Sequence, residues 1–399
     1  MEGWKTEKFK KLIDYKSGYT WSKEQELAVE EPNSIRVLTV SNVQDKLDLT
    51  SELYLAGVSE QDKIKKQVSK DWSIAVSSNG NRNRIGNAIF IDSDTNYLFA
   101  SFLTAFKPFD EADILPYYFY LWLSSSFVQR KITSVAEGTT GLGNLSIRFL
   151  RNMDITFPTD KAEQTAIAKI LSTVDEAIRS TRETISKLER VKKSLMQNLL
   201  SGKMKPDGTL RPADEFYEDE KMGLVPKGWK CGRFKEFSVL QRGKDLTDKE
   251  VVPGKYPVVK SNGVQIWHNE YYIEPPTVVT GRSGTIGKAF YINERCWAHN
   301  TSLYVKDFKG NCPKFIYYKI WSMDFSRYFA GTTVPTLNRN DIHKLRVIMP
   351  SVEEQNQIVA ILDATITKIQ QKQEKITALE SLKKSLMQQL LTGRVRVKE

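Results

Sequence analysis

The chain is poor in the residues that build metal sites and disulfides. Its 399 residues include 3 histidines and 3 cysteines, Cys231, Cys296 and Cys312. The cysteines are too few and too irregularly spaced for a disulfide framework or a zinc cluster, and the histidines stand far apart with no ligand-like spacing. We therefore expect no metal ion in this chain.

Long apolar runs are also missing. No stretch approaches the roughly 18 residues that a membrane-spanning helix needs, and the amino terminus lacks the charged and then apolar pattern of a signal peptide. The hydrophobic share of 40% is that of a folded soluble chain, and 399 residues suffice for two domains of ordinary size. These features predict a cytoplasmic protein without membrane contact.

Signals for catalysis are incomplete. The stretch Gly281 to Lys288 has the glycines of a phosphate loop but the wrong spacing, and Ala289 stands where such a loop needs Ser or Thr to hold magnesium. Glu274-Pro275-Pro276-Thr277 lacks the first and last residue types of the adenine methyltransferase tetrapeptide. A glycine-rich loop for a methyl donor is missing as well. The sequence therefore predicts a protein that recognises a target and has no catalytic residues or cofactor of its own.

The chain does contain a long internal repeat. Residues 163–203 and 354–394 align without a gap, and 19 of the 41 aligned positions are identical. Unrelated segments would share about two or three, so the repeat indicates an internal duplication. The identical positions include Glu163-Gln164 with Glu354-Gln355, and Lys192 to Gln197 with Lys383 to Gln388.

Both copies are predicted to be long helices that pair with each other. Apolar residues recur at alternating intervals of three and four, and no proline or glycine interrupts the runs before Gly202 and Gly393, where a helix end is expected. A stripe this narrow favours a coiled coil; two separate surface helices, each packed on its own domain, are the alternative. The predicted seam consists of Leu171, Val174, Ile178, Ile185, Leu188, Leu195, Leu199, Leu362, Ile369, Ile376, Leu379, Leu386 and Leu390.

Similarity continues upstream of each helix. Gly138-Thr139-Thr140 recurs as Gly331-Thr332-Thr333, and Ile85 to Ala88 recurs as Ile286 to Ala289, so the chain reads as globule, helix, globule, helix. Because the second helix can bury its stripe against the first only by running back along it, the pair is predicted to be antiparallel with approximate twofold symmetry. The expected fold class is α+β, with two mixed α/β domains separated by two long helices that form an antiparallel coiled coil. The predicted limits are 1–158 and 224–350 for the domains, 161–203 and 353–393 for the helices, 204–223 for a connector and 394–399 for a tail.

A formal net charge of +11 suggests a polyanionic partner, although solvated surface charge is the plainer explanation. Residues 77–84 and 281–284 are polar segments with Arg, Asn and Gly that follow β-branched runs. Such loops can enter a DNA groove, where Arg and Asn contact guanine and adenine edges; ordinary hairpin turns are the alternative. The candidate DNA contacts are Asn79, Asn81, Arg82, Asn83, Arg84, Arg148, Lys260, Asn262, Arg282, Ser283, Lys288, Asn300, Asn338 and Arg339.

These features together resemble the specificity subunit of type I restriction-modification systems over essentially the whole chain. The resemblance is carried by the two copies of Glu-Gln, Ile-Leu, Lys-Lys-Ser-Leu-Met-Gln and Leu-Leu-x-Gly, by Gly223 to Lys230, and by Gly281-Arg282-x-Gly284-x-x-Gly287-Lys288. The first globule has Asn79 to Arg84 where the second has this glycine-rich stretch. Individual DNA contacts therefore cannot be copied from one half to the other.

The resemblance implies a non-catalytic subunit with two target-recognition domains that read a bipartite, interrupted site in double-stranded DNA. It also implies two docked modification subunits that methylate adenine N6 with S-adenosylmethionine, and restriction subunits that use ATP and magnesium. A DNA-binding regulatory or architectural protein is the alternative, although such proteins more often obtain symmetry by dimerisation. A stand-alone modification enzyme would need the motifs that the sequence lacks.

Overall fold

The computed structural model describes residues 2–136, 143–325 and 336–397. The chain divides into two compact units. Unit 1 consists of Met1–Arg182 with Glu374–Glu399, and unit 2 consists of Glu183–Gln373. Each unit therefore contains one globule and one half of each long helix.

Unit 1 is built on a four-stranded antiparallel sheet with the order β2-β10-β6-β8. Every residue of the inner strand Ser73–Val76 is buried, as expected for a strand that is covered on both faces. The strands are β1 (Trp4–Lys8), β2 (Ile13–Ser17), β3 (Glu26–Leu27), β4 (Ile35–Leu38), β5 (Tyr54–Leu55), β6 (Ser73–Val76), β7 (Ser78–Asn79), β8 (Ala88–Phe90), β9 (Leu98–Phe99), β10 (Leu103–Pro108), β11 (Gly143–Asn144) and β12 (Asp154–Pro158). The shorter helices are α1 (Phe9–Leu12), α2 (Glu60–Lys66), α3 (Pro116–Ser124), α4 (Ser126–Ser134) and α5 (Ile147–Asn152).

Unit 2 repeats this topology. Its four-stranded sheet has the order β16-β22-β19-β20, and β17 pairs in parallel with β21 as β4 does with β9. The strands are β13 (Phe216–Asp219), β14 (Gly223–Pro226), β15 (Lys230–Arg233), β16 (Val239–Arg242), β17 (Tyr256–Lys260), β18 (Gly263–His268), β19 (Thr277–Gly281), β20 (Ala289–Ile292), β21 (Trp297–Ala298), β22 (Ser302–Asp307) and β23 (Arg346–Met349). The shorter helices are α7 (Phe234–Phe237), α8 (Pro313–Trp321) and α9 (Arg339–Lys344).

The two repeat segments form the long helices α6 (Lys161–Leu200) and α10 (Val352–Leu390). Gly202 and Gly393 follow them with φ angles of 72° and 70°, the left-handed conformation that ends a helix and favours glycine. The hydrogen bonds that end the two helices also match. The Met204 amide donates to the Asn198 carbonyl, and at the equivalent positions of the repeat the Val395 amide donates to the Gln389 carbonyl. All thirteen predicted seam residues are buried or half-buried.

Within each unit the helix halves run antiparallel. In unit 1, Lys383 Nζ lies 2.6 Å from Asp175 Oδ1, and Arg182 Nη2 donates to Glu380 Oε1 at 2.8 Å, so positions later in α6 meet positions earlier in α10. In unit 2, Leu199 and Leu200 of α6 share a core with Ile358 and Leu362 of α10. The predicted fold class, including the antiparallel helices and the internal repeat, is confirmed.

The helix ends also belong to the globular cores, which the heptad pattern did not reveal. Ile167 and Met387 are buried in the same core as the aromatic residues of α3, and Ile358 occupies the equivalent place in unit 2. The seam and the packing of each helix on a globule therefore coexist. The heptad pattern had suggested these two arrangements as alternatives.

An arginine–glutamate ion pair, here called the latch, lies at the start of each long helix: Arg396 with Glu163 in unit 1 and Arg211 with Glu354 in unit 2. In unit 1 the guanidinium of Arg396 donates to both oxygens of Glu163 at 2.7 Å and lies 5.7 Å from the centre of the Trp4 ring. The Glu163 side chain is only 5% exposed. Bidentate, charge-assisted hydrogen bonds of this kind hold a segment in one geometry, so the tail is fixed to the first globule.

Unit 2 has the same latch with an arginine from a different segment. Arg211 of the connector forms an ion pair with Glu354 and lies 5.8 Å from the centre of the Trp229 ring, while Trp229 Nε1 donates to Glu354 at 3.0 Å. The glutamine that follows each glutamate is buried. Its amide nitrogen donates to a proline carbonyl in both units, from Gln164 to Pro158 and from Gln355 to Pro350.

Candidate nucleic-acid interface

Basic side chains collect at one end of the central sheet in unit 2. Strands β16 and β19 both pair antiparallel with β22, so their last residues lie beside its first residues. Arg242 ends β16 and stands opposite Leu303, while Arg282 directly follows β19. Lys260 is the last residue of β17. The carbonyl of the preceding residue, Val259, accepts a hydrogen bond from the His299 amide at 3.0 Å. The topology thus brings together three cations from three different strands.

The backbone of Arg282 is fixed on both sides. Its amide donates to the Thr301 carbonyl at 2.9 Å, and its carbonyl accepts the Leu337 amide at 2.8 Å. The preceding Gly281 permits this turn, because a Cβ atom there would lie 1.8 Å from the Thr285 carbonyl oxygen. The Arg282 side chain therefore starts from a rigid position at the end of the sheet.

Arg242 and Arg282 form a pair of like charges. Partial burial lowers the pKa of the Arg282 guanidinium, and the nearby charge of Arg242 lowers it further. Arg242 Nε donates to the Asn300 carbonyl at 3.3 Å. Within residues 2–136, 143–325 and 336–397, neither guanidinium forms an ion pair with a carboxylate. Two adjacent cations without a counter-ion repel each other, so an anion at this place would stabilise both.

The carboxylate of Asp245, which contacts Asn300 and His299, is already engaged. Asn300 Nδ2 donates to Asp245 Oδ1 at 2.6 Å, and the same oxygen lies 3.7 Å from His299 Nε2. Partial burial, followed by the charge of Lys260, lowers the pKa of His299, which favours its neutral form at physiological pH. The Asn300 amide is thus held in place by Asp245 and leaves its side-chain oxygen as an acceptor.

The other predicted contacts of unit 2 have different surroundings. Asn262 and Lys288 are exposed, and Ser283 is half-buried with its amide donating to the Thr301 carbonyl at 3.1 Å. Asn338 caps helix α9 by accepting the Asn340 amide, and the exposed Arg339 begins that helix. All the residues predicted in this half as DNA contacts lie in the part of the chain that the structure describes.

In unit 1 the predicted contacts fall on a loop between β6 and β8 and on helix α5. Asn79 accepts the Asn81 amide at 2.8 Å, and Asn81 accepts the Asn83 amide at 3.1 Å, so two of the asparagines shape the loop itself. Arg82 and Asn83 are exposed, as is Arg148 on α5. Arg84 differs from these residues, because its guanidinium donates to the carbonyls of Val40 and Val43 at 3.1 and 2.7 Å.

The candidate surfaces of the two units have equivalent backbones. The Ser77 and Ser78 amides both donate to the Phe102 carbonyl, as the Arg282 and Ser283 amides both donate to the Thr301 carbonyl. In unit 1, Ser17 pairs with Thr104, the second residue of β10. In unit 2, Arg242 pairs with Leu303, the second residue of β22, so Ser17 and Arg242 occupy equivalent positions. By these matches Arg242, Lys244, Lys260 and Arg282 of unit 2 stand where unit 1 has Ser17, Tyr19, Thr39 and Ser77.

The sequence reasoning missed Arg242 and the latch residues. Arg242 is isolated in the sequence, about 40 residues from Arg282, and only the strand pairing brings the two together. The latch had a usable signal, since Glu163-Gln164 and Glu354-Gln355 are polar residues retained in both copies of the helix start, where the other identical residues are apolar. The repeated Gly138-Thr139-Thr140 and Gly331-Thr332-Thr333 lie outside the described residues.

Metal-binding clusters and membrane-spanning helices are both absent from the described residues. No group of three or more His, Cys, Asp and Glu side chains in these residues is arranged to hold a metal ion. None of the helices described is long and apolar enough to cross a membrane.

Comparison with known proteins gives a consistent result. The sequence matches the family described as type I restriction modification DNA specificity domain over residues 1–190 and 226–381. The type I restriction enzyme MjaVIII specificity subunit of Methanocaldococcus jannaschii is 24% identical over 308 residues, which cover 70% of each chain.

Solved structures agree with this match at the level of the fold. The S subunit of a type I restriction-modification system from M. genitalium matches with a TM-score of 0.60 and 18% identity over 97% of this chain and 96% of that chain. A chain from a study of complex assembly and conformational transition of the type I R-M system matches with a TM-score of 0.60 and 14% identity over 98% of both chains. Because the family match extends over more than half of the sequence, this chain belongs to the family of type I restriction-modification specificity subunits, which recognise DNA.

Proposed function

We propose that this chain reads a bipartite, interrupted site in double-stranded DNA, with one half-site contacted by each unit, and presents that DNA to two adenine methyltransferase subunits. The observation that carries the proposal is the repetition of one fold with two different surface chemistries. Equivalent positions are Arg242 and Arg282 in unit 2 and Ser17 and Ser77 in unit 1. Sequence is read through side chains at base edges, so two such surfaces suit two different half-sites.

The exposed faces of the long helices support docking of two copies of one partner. Val191 on α6 and Leu382 on α10 occupy the same position in the repeat, and their side chains are 48% and 47% exposed. The neighbouring exposed residues Lys193 and Lys384 also correspond. A partner helix that covers one of these apolar positions would find the same position on the other helix. In this proposal the restriction subunits join the complex through the methyltransferase subunits.

The chemistry in this scheme belongs to the partners. The methyltransferase subunits bind S-adenosylmethionine and methylate adenine N6, and the restriction subunits use ATP and magnesium. This chain contributes recognition and positioning, in the cytoplasm, where it meets the host DNA. Its basic surfaces supply the sequence-independent attraction to phosphates that brings the half-sites into register.

Native mass spectrometry of the full chain with the methyltransferase subunit tests the docking. The wild type is expected to bind two copies, Val191→Asp and Leu382→Asp one copy each, and the double variant none. Ile64→Asp is the matched control, because Ile64 is 76% exposed on α2 and lies away from the long helices. Single variants that keep two copies would contradict this docking face.

A methylation assay tests the division of labour. The isolated chain should transfer no label from S-adenosylmethionine to DNA, and the reconstituted complex should methylate a site with two separated halves. Methylome sequencing of the host with and without the gene identifies that site. Methyl transfer by the purified chain alone, or a continuous recognised site, would contradict the proposal.

A further inference from the structure

We propose that Arg242 and Arg282 act together on one half-site, with Arg282 contacting the edge of a guanine and Arg242 contacting a neighbouring phosphate. This inference rests on the proposed function. It identifies a further residue for DNA recognition, Arg242, and predicts that the half-site read by unit 2 contains a guanine.

Strand pairing places Arg242 and Arg282 near each other. Arg242 pairs with Leu303 on one side of β22, and Thr280, two residues before Arg282, pairs with Leu303 on the other side. Both positions are rigid, the first in the β16–β22 ladder and the second through its hydrogen bonds to Thr301 and Leu337. The two side chains therefore start from fixed backbone positions, so DNA binding does not have to order the backbone at either residue.

The positive charges of Arg242 and Arg282 are not compensated by the described residues. Each guanidinium lies near a like charge, and neither has a carboxylate partner among the described residues. Some exposed arginines in this chain form such pairs, as Arg295 does with Glu274 at 3.0 Å and Arg346 with Asp219 at 3.5 Å. Arg242 and Arg282 differ from these in having each other's positive charge nearby. A phosphate supplies the missing negative charge, and the O6 and N7 atoms of guanine supply two acceptors for one fork of N–H donors.

The surroundings of the two side chains favour different roles for them. The Nε atom of Arg242 donates to the Asn300 carbonyl, so this side chain is tied back toward the sheet and leaves its terminal nitrogens for an anion at the surface. Arg282 has no side-chain hydrogen bond to the described residues and starts the turn before Lys288, so its whole fork is available to a base edge. Phosphate contacts position a protein on DNA, and base contacts specify the sequence.

Binding of the full chain to a duplex that carries its methylome-determined site tests the assignment. Each guanine of the half-site read by unit 2 is replaced in turn by 7-deazaguanine, which lacks the N7 acceptor. We expect one replacement to weaken wild-type binding about tenfold or more. Arg282→Ala should weaken binding to the unmodified duplex by a similar factor and should show no further loss on that modified duplex.

Arg242→Ala should behave differently. It should weaken binding to every duplex and make the slope of log K against log salt shallower by about 1, while the 7-deazaguanine effect persists. Arg242→Lys should restore the slope, because it restores the charge. Lys306→Gln is the control for lost charge, since the exposed Lys306 lies near the other end of β22, and it should change neither quantity.

Several results would overturn the inference. These are a unit 2 half-site without guanine on either strand, no effect of 7-deazaguanine at any position, or an effect that persists in Arg282→Ala. An unchanged salt slope in Arg242→Ala would overturn the phosphate role. Failure of the wild type to prefer the split site would instead overturn the proposed function, so the two failures are distinguishable. Thermal unfolding of each variant identifies any loss of folding.

Discussion

Units 1 and 2 share one backbone plan and differ in the charge of one surface. At the end of the central sheet, unit 2 carries Arg242 and Arg282 where unit 1 carries Ser17 and Ser77. In unit 1 the nearest equivalent cation is Lys66, which comes from helix α2 and donates to the Ser17 carbonyl and hydroxyl at 2.9 Å. The two surfaces therefore offer different partners to DNA from the same framework.

The residues that do not differ are instructive. The glutamate and glutamine at each helix start, the tryptophan beside each glutamate and the glycine after each helix recur in both units, and the glutamates, glutamines and glycines make matching contacts. These residues are buried or conformationally restricted, and they hold helix, tail or connector on a globule. Duplication followed by divergence thus left the framework alone and changed the exposed surface, which has few packing constraints.

The largest expected effect comes from exchanging a whole recognition surface. Replacement of residues 224–350 by the corresponding segment of a relative should change one half of the methylated sequence completely and leave the other half intact. The reason is that the surface of each unit is built entirely from its own strands and loops. Methylome sequencing of a strain with the hybrid protein checks this. A change in both halves would mean that the units share a single site.

Breaking the latch of either unit should destabilise that unit by a similar amount. Glu163→Gln should lower the free energy of unfolding of unit 1 by about 2–3 kcal/mol, and Glu354→Gln should do the same to unit 2, because each leaves an arginine with a weakened partner at a buried site. Hydrogen exchange, followed unit by unit, measures the two changes separately. Equal loss of protection in both units from either substitution would contradict independent latches.

The unit 1 latch also predicts a pH dependence. Hydrogen bonds from Arg396 lower the pKa of Glu163 below its ordinary value, although desolvation opposes the shift. A carboxyl group with a lower pKa in the folded state stabilises that state fully above its unfolded pKa of about 4.3, and the contribution is lost as the pH falls through the folded pKa. The stability difference between wild type and Glu163→Gln should therefore be constant from about pH 6 to 8 and should shrink below about pH 4. A constant difference down to pH 3 would argue against the ion pair.

The smallest expected effect separates structural from exposed arginines in unit 1. Arg84→Ala should destabilise the loop by about 1–2 kcal/mol, because it leaves the Val40 and Val43 carbonyls without their donor. Arg82→Ala should leave stability unchanged and weaken DNA binding. Thermal unfolding together with DNA titration distinguishes the two variants. Equal effects on stability would mean that the exposed Arg82 also has a structural role.

Sequence patterns predicted the internal repeat and the antiparallel helices, which are confirmed, whereas the individual DNA contacts stay predictions. The long helices span Lys161–Leu200 and Val352–Leu390, where a heptad pattern closed by glycine is a local signal that no tertiary contact overrides. The loop residues Asn79 and Arg82 were also located, because polar turns after β-branched runs are local. Arg84 shows the limit, since its composition fitted a DNA contact while its guanidinium is engaged by backbone carbonyls of another segment.

The sequence by itself determined the duplication, the two helices and the family, because these depend on identities and spacings within one continuous segment. Only the tertiary structure decided which cations share a surface and which polar residues are buried. Arg242 and Arg282 come together through pairing of β16 and β19 with β22, and Arg211 reaches Glu354 across 143 residues. Such contacts join residues distant in the chain, and their energies depend on burial and on neighbouring charge, neither of which a linear pattern contains.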